Sequence, residues 1–210
     1  MRGGCVSKPI DVLMEEHRLI EQVLGSLESF AVAVEGGLAI ERPLVGEFAE
    51  FFRGFADAYH HGKEEDILFQ RMIEHGFPTE SGPLAVMLHE HTQGRARVAI
   101  LRQVGQSEGA VEATEGRAVL TASSEFIPLL RQHIIKEDRI LYPMALRMLT
   151  GTELDQMETA FEAFEKRLDA DGTEQRLRAL AARLTSSFAP DPERMAAAAA
   201  MSHCGLPPVG

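Results

Sequence analysis

The chain has 210 residues, 45% hydrophobic and 25% charged, enough for one sizeable globular domain with appendages or for two small ones. Lys and Arg total 21 against 32 Asp and Glu, and the net charge of −11 disfavours coating phosphate backbones or anionic lipid, so neither nucleic acid nor membrane is an expected partner. With 8 His and only 2 Cys, Cys5 and Cys204, the composition argues against a disulfide scaffold, a thiolate zinc site or an iron-sulfur cluster, and any metal should be held by imidazole and carboxylate.

The first residues, through Cys5 to Pro9, lack the apolar run of a secretory signal. The longest apolar run, Met195 to Met201, is far shorter than the roughly 20 residues that cross a bilayer. A cytoplasmic protein is expected.

Proline and glycine then cut the chain into four long segments with apolar residues at helical spacing. The first opens at Pro9 and stops at Gly36-Gly37. The second opens at Pro43 and ends where Gly76-Phe77-Pro78 breaks the pattern. The third runs from Ser81-Gly82-Pro83, with Ser81 as N-cap, to about Gln106, and the fourth from about Thr114 to Met148, bent locally by Pro128 and Pro143. Short connections between four long helices predict an all-α, up-down-up-down four-helix bundle over residues 9–149. Two shorter amphipathic helices, Thr152 to Ala170 (opened by Thr152) and Thr173 to Ser187, form a C-terminal extension over 150–188 that packs outside the bundle. A poorly ordered tail is expected over 189–210, where large apolar groups are few. No internal repeat is evident, only a recurring placement of polar residues within apolar faces.

Those polar residues carry the functional signal. His17 shares a face with Ile10, Leu13, Ile20 and Leu24; His91 with Leu84, Met87, Leu88 and Val98; His133 with Phe126, Leu129, Leu130, Ile140 and Met144. The second and fourth segments add His60-x-x-x-Glu64 and His133-x-x-x-Glu137, pairs whose spacing brings both side chains to one helix face. A lone histidine on an apolar face is usually a hydrogen-bonded core residue, but four on four helices, with two glutamates, would cost several kcal/mol to bury without compensation. A metal site relieves that cost, and donors without sulfur suit iron or manganese better than copper(I) or structural zinc. Two bridging glutamates suggest a binuclear centre. The competing reading is a buried polar network without metal.

The stretch His60-His61-Gly62-Lys63-Glu64-Glu65-Asp66-Ile67-Leu68-Phe69 resembles the H-x-x-K-E-E-x-x-L-F signature of the hemerythrin-like, HHE cation-binding family. Glu16-His17, Glu90-His91 with Gly94-Arg95, and His133-Ile134-Ile135-Lys136-Glu137 followed by Leu141-Tyr142-Pro143 extend the resemblance over about residues 9 to 148. It implies a hemerythrin-like bundle in which His17 and His60 ligate one iron, His91 and His133 the other, and Glu64 and Glu137 bridge them. The implied cofactor is two Fe ions, oxo- or hydroxo-bridged. The chain departs from oxygen-carrying hemerythrins at Met87, where they have a further histidine; a thioether is a poor ligand for hard iron. That leaves a position for water, for His89 or a tyrosine, or for a substrate.

The resemblance therefore implies a non-haem di-iron protein that binds O2, or reacts with or senses small oxidants such as O2, peroxide or NO, with an electron donor as a further partner. One alternative is iron delivery or iron-sulfur repair under nitrosative stress, although repair proteins of this family often carry a cysteine-bearing domain that Cys5 alone does not match. A second is a metal-free helical interaction module.

Other residues are assigned lesser parts. His61 and Glu65 repeat the His60/Glu64 pairing one residue on, and the apolar pattern does not settle which pair faces inward; the resemblance favours His60 and Glu64, leaving His61 beside the ligands or exposed. Glu21 lies on the His17 face and can support a ligand or join the metal. Asp138 has the spacing of the hemerythrin carboxylate, but Glu137 fits the bacterial pattern better. His89 is assigned to the surface, His75 to a helix C-terminus, His203 to the tail, and Phe48, Phe51, Phe52 and Phe55 to packing.

Overall fold

The computed structural model describes residues 8–169 and 171–201; Cys5, His203, Cys204 and the glycine-flanked C-terminal residues lie outside them. Among the described residues the structure is helical, with no strand.

Helix α1 (Lys8–Glu35) takes Pro9 in its first turn and ends at Gly36-Gly37, where Gly37 adopts φ 104°. Helix α2 is one rod over 42–74 built of four stretches: α-helical Arg42–Phe51, π-helical Phe52–His61 and Glu64–Leu68, and α-helical Phe69–Glu74. Helix α3 is Gly82–Gln106, with Ser81 at its N-cap but no capping bond from the side chain. Helix α4, over 113–148, joins Ala113–Lys136, a π-helical turn Glu137–Leu141, and Tyr142–Met148.

Each of these four helices packs on the next, and α4 closes back on α1; with short connections this is the expected antiparallel bundle. The tightest crossing is between α2 and α3. A Cβ on Gly105 would stand 2.5 Å from the Gly46 Cα, so only glycine permits it. Beside this crossing, the buried guanidinium of Arg42 ties the α3–α4 loop to the start of α2, donating to Glu115 and to the carbonyls of Val104, Gly109 and Ala110.

Two apolar cores fill the bundle. One gathers Ile20, Leu24, Phe48, Phe52, Phe126 and Leu130 with their neighbours. The other gathers Ile10, Leu13, Phe69, Met87, Leu141 and Tyr142. Between them lies a layer of buried histidines and carboxylates.

Helices α5 (Gly151–Leu168) and α6 (Thr173–Ser187) cover the α1/α2 side and extend both cores, α5 through Met157 and Phe161, α6 through Leu177, Leu180, Ala181 and Leu184. The cap of α5 is Thr150 rather than Thr152, because Glu153 three residues on completes a reciprocal capping box with it. Poor order was expected from residue 189, but Pro192–Met201 forms helix α7. Asp191 caps its amides, alanine has the highest helix propensity of any residue, and Met195 packs on Gly25 of α1. No helix among the described residues is long and apolar enough to cross a membrane.

Candidate metal centre

The six residues singled out by spacing, His17, His60, Glu64, His91, His133 and Glu137, meet in the polar layer, each 2% exposed or less. The π-helical stretches of α2 and α4 fall at the His-x-x-x-Glu motifs. Their i→i+5 bonding widens each turn and slows the rotation per residue, a distortion frequent at functional sites. In α2 it carries both His60 and His61 to the inner side.

Each of the four imidazoles is held from behind by a carboxylate of the neighbouring helix. His60 Nδ1 donates to Glu16 of α1 (2.9 Å), His91 Nδ1 to Glu65 of α2 (2.5 Å), His133 Nδ1 to Glu90 of α3 (3.0 Å), and His17 Nδ1 to Asp138 of α4 (2.7 Å). The ring closes around the bundle. Cations hold the carboxylates in turn: Lys63 on Glu16, Lys136 on Glu90, Arg95 on Glu65 and Arg18 on Asp138. A proton fixed on Nδ1 leaves the Nε2 lone pair facing inward, the tautomer a metal requires.

On the inner side, Glu64 Oε2 lies 3.7 Å from His60 Nε2 and 3.5 Å from His91 Nε2. Glu137 Oε2 lies 3.3 Å from His17 Nε2 and 3.2 Å from His133 Nε2. The Nε2 atoms of His91 and His133 approach to 3.0 Å, a repulsive contact for two lone pairs unless a cation or proton is shared. His60 Nε2, Glu64 Oε2 and both oxygens of Glu137 are buried with no hydrogen-bond partner among the described residues. Each would cost about 1–3 kcal/mol if left so. These inward-facing atoms fit a metal: two groups each bring ligand atoms within 4.8 Å of one another, His17, His60, Glu64 and Glu137 in one, and His61, Glu64, His91 and His133 in the other. Glu64 belongs to both.

Burial dominates the local electrostatics. It pushes Glu64 up to about 8 and, with the Glu64 carboxylate alongside, Glu137 well above the ordinary range. It raises Glu16 to about 7 against the opposing charge of Lys63. His60, His91 and His133 are all lowered by burial, the first two far below the ordinary imidazole value. Without metal, Glu64 and Glu137 therefore favour the protonated form near neutral pH and these imidazoles the neutral one.

The halves of the bundle are quasi-equivalent. Glu16-His17 of α1 matches Glu90-His91 of α3, and His60-x-x-Lys63-Glu64-Glu65 of α2 matches His133-x-x-Lys136-Glu137-Asp138 of α4, with equivalent bonds throughout. This is the repeat that sequence reading missed, because the matching residues are few and lie within unrelated apolar runs. Two of the differences between the halves bear on the site. Tyr142, whose hydroxyl donates to Glu64 Oε1 at 2.7 Å, stands where the other half has Phe69, and His61 stands where the other half has Ile134.

The remaining assignments divide. Asp138 supports His17 and is no rival to Glu137. Glu21 turns outward to Arg18. His89 is bonded to Gln93 on the surface, and His75, at the end of α2, reaches Glu153 of α5. The four phenylalanines of α2 pack in the core. Met87 is buried in the apolar core beyond the site. Glu16, Glu65 and Glu90 were missed as supports because on a regular helix each points away from the histidine beside it; each serves the histidine of another helix.

A closed four-helix bundle with a buried His/carboxylate layer defines a metal-binding protein. The sequence profile of the family described as the Hemerythrin HHE cation binding domain matches residues 8–145, and the chain belongs to this family. Among curated relatives, the iron-sulfur cluster repair protein YtfE of Yersinia pseudotuberculosis serotype IB (strain PB1/+) is 40% identical over 93 residues, 42% of this chain and 41% of the relative. The protein of the same name from Dickeya chrysanthemi (strain Ech1591) is 37% identical over 91 residues, with the same coverage. The matched stretch thus spans well under half of these relatives. No solved structure matches the chain.

Proposed function

We propose that this chain is a non-haem di-iron protein whose site serves iron-sulfur cluster repair, with His17 and His60 on one iron, His91 and His133 on the other, and Glu64 and Glu137 shared. The observation that carries the di-iron reading is the pair of buried donor groups joined through Glu64. The likeness to YtfE relatives supports the repair role ahead of oxygen carriage. A bound iron pair supplies redox chemistry and exchangeable iron. The protein's residues hold the imidazole tautomers and exclude bulk water, and the buried carboxylates release their protons as they become ligands.

The test of the repair role is an iron-sulfur hydro-lyase whose cluster has been destroyed by nitric oxide. Adding iron-loaded protein with a sulfide source should restore activity faster than the same amount of free ferrous iron. Equal recovery with free iron contradicts the role.

A second reading, reaction with a small oxidant, is favoured by a pocket of about 250 Å³ that reaches His61, His91 and His133 between Phe52, Phe126 and Arg95. Under that reading, O2 or peroxide produces a ligand-to-metal charge-transfer band in the reduced, iron-loaded protein. A featureless visible spectrum contradicts it.

A further inference from the structure

We infer that His61 is a fifth imidazole donor, ligating the metal position of His91 and His133, so that the two positions carry three and two histidines. The inference rests on the di-iron reading. His61 is 7% exposed, belongs to the donor group formed with Glu64, His91 and His133, and stacks on the His91 ring with centroids 3.7 Å apart. A carboxylate lies behind it too: Asp57, held by Arg95, the same cation that holds Glu65 behind His91, stands 3.5 Å from its Nδ1, though unlike the other four that nitrogen makes no hydrogen bond among the described residues. Its equivalent in the other half is Ile134, so the extra donor falls on one metal alone.

The opposite side carries its own mark, since Tyr142 binds Glu64 beside His17, where the equivalent Phe69 faces His91. The position vacant through Met87 of α3 is thus supplied from α2, through the π-helical turn that brings adjacent histidines inward. Because His61 also lines the pocket, the three-histidine metal is the one that faces incoming small molecules.

The test is iron-57 Mössbauer spectroscopy of the full chain, with His61→Ala and His61→Gln, the second keeping volume and a donor for Asp57. Native protein should give two quadrupole doublets of equal area, and each variant should shift one while the other stays in place. Imidazole added to His61→Ala should return the shifted doublet toward its native position. Doublets unchanged in both variants overturn the assignment and leave the di-iron reading standing, even if O2 or NO binding is altered. A native chain that takes up no iron overturns both.

Discussion

The Tyr142 hydroxyl donates to Glu64 Oε1 at 2.7 Å while Glu64 Oε2 stays buried with no hydrogen-bond partner among the described residues. One oxygen of the shared carboxylate is thus satisfied by the protein and the other is left for a metal. Tyr142→Phe removes this hydroxyl donor to Oε1. The metal-free variant should lose about 1–3 kcal/mol of stability, and the iron-loaded variant less, because metal can then take both oxygens. Chemical unfolding of both forms checks this; an equal loss with and without iron contradicts it.

The support behind each imidazole should be felt in metal affinity. Asp138 accepts from His17 Nδ1 and is held by Arg18. Asp138→Ala should weaken iron binding by about 10–100-fold, the usual effect of losing such a partner, with little change in helicity. Competition with a chelator of known affinity measures it.

The polar layer should be a cost to the metal-free fold. Replacing His60 and Glu64 together with Leu should abolish iron uptake yet stabilise the metal-free bundle by about 1–4 kcal/mol, as replacing buried ionic groups with apolar ones often does. A variant that is more stable and keeps full biological function would favour the metal-free interaction module instead.

The pH response follows from the buried groups. Glu64, raised to about 8, Glu137, and Glu16, raised to about 7, hold protons in the folded chain that the unfolded chain releases from about pH 4.5. They therefore lower stability as pH rises, by at most about 1.4 kcal/mol per pH unit each. The lowered histidines act oppositely, but only below the ordinary imidazole value of 6.5. Metal-free stability should therefore fall between about pH 6.5 and about pH 8, while iron affinity rises as binding displaces carboxyl protons. Melting temperatures with and without iron should diverge over that window; a constant gap contradicts the proton release.

Helix α5, beyond the family match, clamps the ligand-bearing rod. A Cβ on Gly62 would meet Phe164 Cζ at 2.5 Å, and Glu165 accepts from the fully buried Lys63 at 2.7 Å. Gly62→Ala should cost about 1–3 kcal/mol through overpacking, and Phe164→Leu in the same chain should recover part of it. A neutral Gly62→Ala would show that α5 does not press on the site.

The bundle was legible because Pro9, Pro43 and Pro83 open helices, Gly36-Gly37 and Gly76 close the first two, and His17, His91 and His133 each interrupt an otherwise apolar stripe. His61 was not, since a 3.6-residue period sets it a third of a turn from His60, and only the π-helical widening of α2 brings both inward. Helix α7 was discounted for lacking large apolar groups, although its alanines favour helix and Asp191 caps it.

The most direct test is the iron content of full-length chain purified anaerobically with ferrous iron supplied. Two irons per chain, lost together in the His60→Leu, Glu64→Leu variant, is the expected result. Well under one iron per chain in the native protein would contradict the di-iron account.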